Sequence, residues 1–138
     1  MAQLNTEHLQ KCIDTLAMSL VCLRQTKEDS IDYEMYRNCL VKSLEITLEQ
    51  SGKLLRKKIT PYFATKKEVD RLVFKDVFRY AGKHGLMDDQ AVERWLEYRD
   101  NRNDTTHDYG VAFAETTLKL AETMINDAQK LKDLIDHG

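Results

Sequence analysis

Almost nothing in this sequence can stop a helix. Pro61 is the one proline, and the five glycines are scattered at Gly52, Gly82, Gly85, Gly110 and Gly138. Between these breakers, apolar residues recur at spacings of three and four, the period that lays side chains along one face of a helix. The chain therefore reads as all-α. Leu9, Cys12, Ile13, Leu16, Leu20 and Leu23 mark one face of a first helix over about Thr6 to Lys27. Ser30 or Asp29 caps a second, along which Tyr33, Tyr36, Leu40, Leu44, Leu48 and Leu55 step toward a loop at Pro61. Gly52 is a weak point inside it, because glycine loses more backbone freedom in a helix than any other residue.

Thr65-Lys66-Lys67-Glu68 has the form of a capping box, in which a hydroxyl and a carboxylate satisfy the free amides at a helix start. Val69, Leu72, Val73, Val77 and Phe78 are the expected buried face of this third helix, and Gly82 and Gly85 end it. Asp88 or Asp89 caps a fourth, which carries Val92, Trp95 and Leu96 and runs into Arg102. A polar stretch from Asn101 to Asp108 then joins it to a fifth helix, with Phe113, Leu120, Met124, Ala128, Leu131 and Ile135 on its apolar side. Short connections between such helices predict an antiparallel up-and-down bundle of four to five helices. A chain of 138 residues suits one domain over residues 1–138, large enough to bury roughly two thirds of its unfolded surface without disulfide or metal.

Cys12, Cys22 and Cys39 form no C-x-x-C pair, and each falls inside a helical pattern, where a free cysteine behaves as a small apolar residue. This usage points to a reducing compartment. With no apolar run approaching the roughly 18 residues of a membrane span and no signal-peptide pattern, a cytoplasmic protein is expected.

The net charge of −2 conceals an asymmetry. Residues 53–83 hold ten Lys or Arg against Glu68, Asp70 and Asp76, a balance of +7, which leaves −9 for the rest. A cationic stretch of this kind suits a phosphate backbone, with Lys66, Lys67, Arg71, Lys75 and Arg79 as candidate RNA contacts; a solvated helix face explains the same residues. Other motifs fail on context. Gly82-Lys83-His84-Gly85 has the G-x-x-G form of a KH clamp without the mixed sheet that clamp needs, and Ser51-Gly52-Lys53 lacks a glycine-rich phosphate loop. No His or Cys cluster has zinc spacing, so neither metal nor cofactor is expected.

Only residues 102–109, Arg102-Asn103-Asp104-Thr105-Thr106-His107-Asp108-Tyr109, gather unlike functional groups. Arg102 offers a permanent cation whose planar fork suits phosphate, and His107 is able to exchange a proton near neutral pH. RNA cleavage without metal needs a base for the ribose 2′-hydroxyl, a cation for the phosphorane and an acid for the leaving oxygen. A single histidine does not conveniently do both proton transfers, so this chemistry calls for a two-fold homodimer that brings two copies to one groove. The structural reading of the same residues stays open: Arg102 against the C-terminal dipole of helix four, and His107 opening helix five beside caps at Asp104 and Thr106. Tyr109 is open in the same way, packing on Trp95 or exposing its hydroxyl beside His107.

Arg102, the polar Asn103, His107 and Tyr109 together resemble the R-polar-x3-H-x-Y signature of HEPN proteins, in the HepT-like branch also described as nucleotidyltransferase substrate-binding proteins. Residues 42–49 with Lys53 are similar to that branch's second helix, and Gly85-Leu86-Met87-Asp88-Asp89 followed by Trp95 to its approach to the fourth. The likeness spans about residues 40–113, with departures at Leu44, where the family has an aromatic, and at Gly52, where it has Trp before the lysine.

The resemblance implies a HEPN-type homodimeric bundle. It also implies a metal-independent endoribonuclease toxin that cuts RNA or tRNA, with Arg102 and His107 catalytic and Asn103 and Asp104 as supporting polar residues. Its partner would be a minimal nucleotidyltransferase (MNT) antitoxin that attaches AMP to Tyr109. The alternative is a non-catalytic protein that presents substrate or nucleotide to that enzyme.

Overall fold

The structure, a computed structural model, describes residues 4–105 and 116–137, the stretch 102–105 by its backbone alone. Among these residues there is no strand. The helices are α1 (Glu7–Arg24), α2 (Ile31–Ile59), α3 (Lys66–Asp70), α4 (Phe74–Lys83), α5 (Asp89–Thr105) and α6 (Leu118–His137), with a 3-10 turn at Thr60–Tyr62.

Three of the helices, α2, α3 and α5, start where a side chain takes up a free amide. The Ser30 hydroxyl accepts from the Tyr33 amide, Thr65 Oγ1 from the Glu68 amide, and the Asp88 carboxylate from the Ala91 amide at 2.7 Å. At the other end of α4, Gly85 adopts a left-handed conformation (φ 73°), which lets the Leu86 amide reach the Ala81 carbonyl and the Gly85 amide the Gly82 carbonyl. This pair of bonds is the Schellman closure, and it needs a residue without a Cβ penalty at that position.

α2 is the spine and touches every other described element. Paired contacts give the directions. Thr47 reaches the Cys12 carbonyl and Ser19 reaches Cys39, so α1 and α2 are antiparallel. Thr6 bonds Asp136 at 2.6 Å while Arg24 pairs with Glu122, so α1 and α6 are antiparallel as well. Lys75 with Asp100, and Gly82 against Val92, make α4 and α5 antiparallel. The C-termini of α1 and α5 therefore share one pole with the N-termini of α2 and α6. The opposite pole holds the C-termini of α2, α4 and α6. Leu9, Leu16, Leu40, Leu48, Leu55, Phe78, Trp95 and Leu131 fill the space between, each at most 2% exposed.

Two expectations are corrected. The third helix is not continuous: α3 ends after one turn, Val73 is extended (ψ 163°) and 62% exposed, and α4 begins after it. The Val69 carbonyl, which a continuous helix would offer to residue 73, accepts instead from the Leu72 amide and from Arg56 Nη1 at 2.5 Å. The Arg56 guanidinium thus stabilises the break. Nor is Gly52 a weak point. It is buried within α2, and a Cβ there would lie 2.5 Å from Phe74 Cε2, so the missing side chain is what lets α4 lie against α2. The Phe74 ring occupies the space.

Candidate functional site

Helix α5 carries the first half of the polar segment. It continues helically to Thr105, past the Asn101 at which the joint was expected to open, so Arg102, Asn103 and Asp104 lie on its last turn. Thr106, His107, Asp108, Tyr109 and Phe113 lie outside the described residues. The next described helix is α6, and the two ends meet at the same pole of the bundle.

What holds this end of α5 in place is a buried polar clamp one to two turns before Arg102. Asp127 on α6 is 5% exposed, and it accepts from Arg94 Nε at 2.8 Å and Nη2 at 2.9 Å. The Tyr98 hydroxyl donates to the same carboxylate at 2.5 Å. Both oxygens are thus engaged, the arrangement that makes a buried charge tolerable. Hydrogen bonding to Asp127 raises the Arg94 guanidinium further above its ordinary range against the opposing effect of burial. Burial, then the bond to Asp127, pushes the Tyr98 phenol well above its usual value. Trp95 completes the anchor, stacked on Phe78 at 5.0 Å and edge-on to Tyr98 at 5.3 Å.

Beside the clamp, toward the α5 terminus, Leu44, Leu48, Tyr98, Leu120 and Met124 line a narrow crevice with Glu45 and Asn101 at its edge. Its free volume of about 10 Å³ holds one water at most. Asn101 donates its amide to the Glu97 carbonyl at 2.9 Å, which leaves its side-chain oxygen to accept.

The cationic candidates divide. Lys66, Lys67 and Arg71 are exposed and have no acidic partner among the described residues. Lys75 is paired with Asp100 at 2.5 Å and Arg79 with Asp76 at 3.0 Å, so part of their charge is already matched. At the pole remote from Arg102, next to the unpaired cations, four rings cluster. Tyr62 stacks on His84 at 5.8 Å and 17°, Tyr80 lies 4.1 Å from His84, and Phe63 lies 4.4 Å from Tyr80.

Sequence reading missed both the clamp and the ring cluster. The clamp left one signal, an aspartate on the apolar stripe of α6 between Met124, Ala128 and Leu131. The rings left little, since Tyr62 and His84 are 22 positions apart and meet only because α2 and α4 end at the same pole.

Over residues 4–136 the chain matches the family described as "Nucleotidyltransferase substrate binding protein like". A Haemophilus influenzae protein named "Probable ribonuclease HepT" is 30% identical over 69 residues, which cover 50% of this chain and 46% of that protein. The chain thus spans less than half the length of that curated relative. A solved structure from the same organism, described as revealing the fold of a substrate binding domain of a nucleotidyltransferase, superposes with a TM-score of 0.78 at 21% identity, over 95% of this chain and 98% of that one. That likeness concerns the fold.

Proposed function

The chain belongs to the nucleotidyltransferase substrate binding family, and from that premise we propose that it is a metal-independent endoribonuclease that works as a homodimer and is silenced by a small nucleotidyltransferase. The observation that carries this reading is the R-x4-H-x-Y pattern, which begins on the last turn of α5 immediately beyond the Asp127 clamp. A ribonuclease site needs its groups held to a fraction of an ångström, and Trp95, Arg94 and Tyr98 anchor the helix on which the pattern begins. The relative named a probable ribonuclease supports the same reading.

In this mechanism one His107 takes the proton of the ribose 2′-hydroxyl as that oxygen attacks phosphorus. The Arg102 guanidinium holds the charge that gathers on the phosphorane oxygens. His107 of the second copy gives its proton to the departing 5′-oxygen, leaving a 2′,3′-cyclic phosphate and a 5′-hydroxyl. Asn103 and Asp104 support the groove. The antitoxin would transfer AMP from a nucleoside triphosphate to the Tyr109 oxygen, with pyrophosphate leaving, and the added phosphate and base would then fill the groove.

Purified protein should cut single-stranded RNA or tRNA in the presence of EDTA. Arg102→Ala and His107→Ala should each lower the rate by at least about 100-fold, the usual worth of a general acid–base or charge-stabilising group. Undiminished cleavage by both variants would sink the assignment. The family description favours a second reading, in which the chain only presents substrate to its nucleotidyltransferase. That reading predicts no cleavage and no growth defect on expression alone. Intact mass after co-expression with the nucleotidyltransferase separates neutralisation by AMP on Tyr109 from simple sequestration.

A further inference from the structure

The rings at the pole remote from Arg102 differ in how far they are buried. Phe63 and Tyr80 pack on the hydrophobic core and close the end of the bundle. Tyr62, 53% exposed, lies 6.5 Å from the Tyr80 ring, and His84, also exposed, stacks nearly parallel to Tyr62. An offset parallel pair of rings at the surface is a favourable arrangement that another flat group can extend.

The surroundings identify that group. Lys57 and Lys58 lie on the last turn of α2 just before Tyr62, Lys83 directly precedes His84, and Lys66 and Lys67 open α3. None of these five lysines has an acidic partner among the described residues. Of the acids in the stretch, Asp76 is engaged with Arg79, leaving Glu68 and Asp70 on α3. Exposed aromatic side chains among lysines with no acidic partner among the described residues suit a chain that alternates flat bases with phosphates. A duplex hides its base faces, so it does not use the rings.

We propose that Tyr62 and His84 form a base-stacking platform which, with Lys57, Lys58, Lys66, Lys67 and Lys83, binds single-stranded RNA at the pole opposite Arg102. The 17-residue α5 separates the two poles by about 25 Å at 1.5 Å per residue. An extended strand covers that distance in a handful of nucleotides, so one RNA can engage the platform while another part of it reaches the end of α5. The proposal rests on the ribonuclease reading only for the identity of the nucleic acid.

The test uses fluorescence anisotropy with a fluorescein-labelled single-stranded RNA of 12 nucleotides and the corresponding duplex, on the full chain carrying His107→Ala so that the RNA stays intact. Tyr62→Ala combined with His84→Ala should weaken single-strand binding about five- to 100-fold, the range of base–aromatic stacking, and Tyr62→Trp should retain it. Lys66→Ala with Lys67→Ala should lower the salt dependence of binding by about one to two counterions. Single-strand affinity unchanged by the ring variants, or duplex bound as tightly as single strand, overturns the platform. Circular dichroism checks that these exposed-site variants stay folded. The two readings fail separately: a protein that binds through Tyr62 but never cuts RNA refutes the nuclease alone, whereas cleavage with a KM unmoved by the ring variants refutes the platform alone.

Discussion

The Asp127 clamp and the Tyr62–His84 pole are both clusters of polar and aromatic groups, yet they are built on opposite terms. In the clamp, Asp127 and Tyr98 are 5% and 3% exposed, and the carboxylate is bonded by Arg94 and Tyr98. At the pole, Tyr62 is 53% exposed, and the lysines near it have no acidic partner among the described residues. A buried polar cluster must be internally complete, because each unpaired group carries its full desolvation cost. An exposed one can stay incomplete, because water serves until a ligand arrives. Internal completeness is thus what lets a buried polar group hold the fold, whereas a surface group is free to exchange water for a ligand.

The difference is broken most severely at Trp95. Replacing it with alanine removes a ring 1% exposed between Phe78 and Tyr98, and urea unfolding should show a loss of about 3–5 kcal/mol. Asp127→Ala comes next. It strands the Arg94 guanidinium and the Tyr98 hydroxyl, and because the Arg94 side chain is 35% exposed and can rehydrate in part, the expected loss is about 2–3 kcal/mol, below the full cost of breaking a buried pair. An Asp127→Ala protein as stable as the parent would show that the clamp contributes nothing to the fold.

Alkaline titration tests the same cluster more gently. The folded-state value of the Tyr98 phenol lies above the ordinary value of about 10, so its contribution to stability is complete below pH 10 and is lost as pH rises toward the folded-state value. The stability gap between the parent and Tyr98→Phe should therefore narrow above pH 10, and a gap constant from pH 8 to pH 11 would refute the assignment. The smallest effect is expected at the pole: Tyr62→Ala should change stability by no more than about 1 kcal/mol, the worth of an exposed ring's contacts with His84 and Tyr80. A larger loss there would make Tyr62 part of the fold and blunt the contrast between the two clusters.

The helical architecture could be read along the chain because its signals are local. The buried faces of α1, α2 and α6, and the starts at Ser30, Thr65 and Asp88, follow from spacing and from which side chain can reach an amide three residues on. The third helix was misread for the converse reason. The apolar pattern of Leu72, Val73 and Val77 is continuous, but the break between α3 and α4 is stabilised by Arg56, which lies on another helix. Gly52 was misread likewise, since local propensity marks a glycine as weak and only the Phe74 ring shows what it admits. Of the candidate site, Arg102, Asn103 and Asp104 are carried on α5, while His107 and Tyr109 are outside the described residues.

Hydrophobic period, capping chemistry and the concentration of positive charge in residues 53–83 were thus determined by the sequence itself, since each depends on residues within a few positions of one another or on composition alone. Tertiary structure alone decided which of those cations are matched, where α4 begins, how Asp127 ties α6 to α5 before Arg102, and that Tyr62 and His84 form one surface. Each of these is a contact between residues distant in the chain, and its energy exists only once the packed helices have brought them within reach.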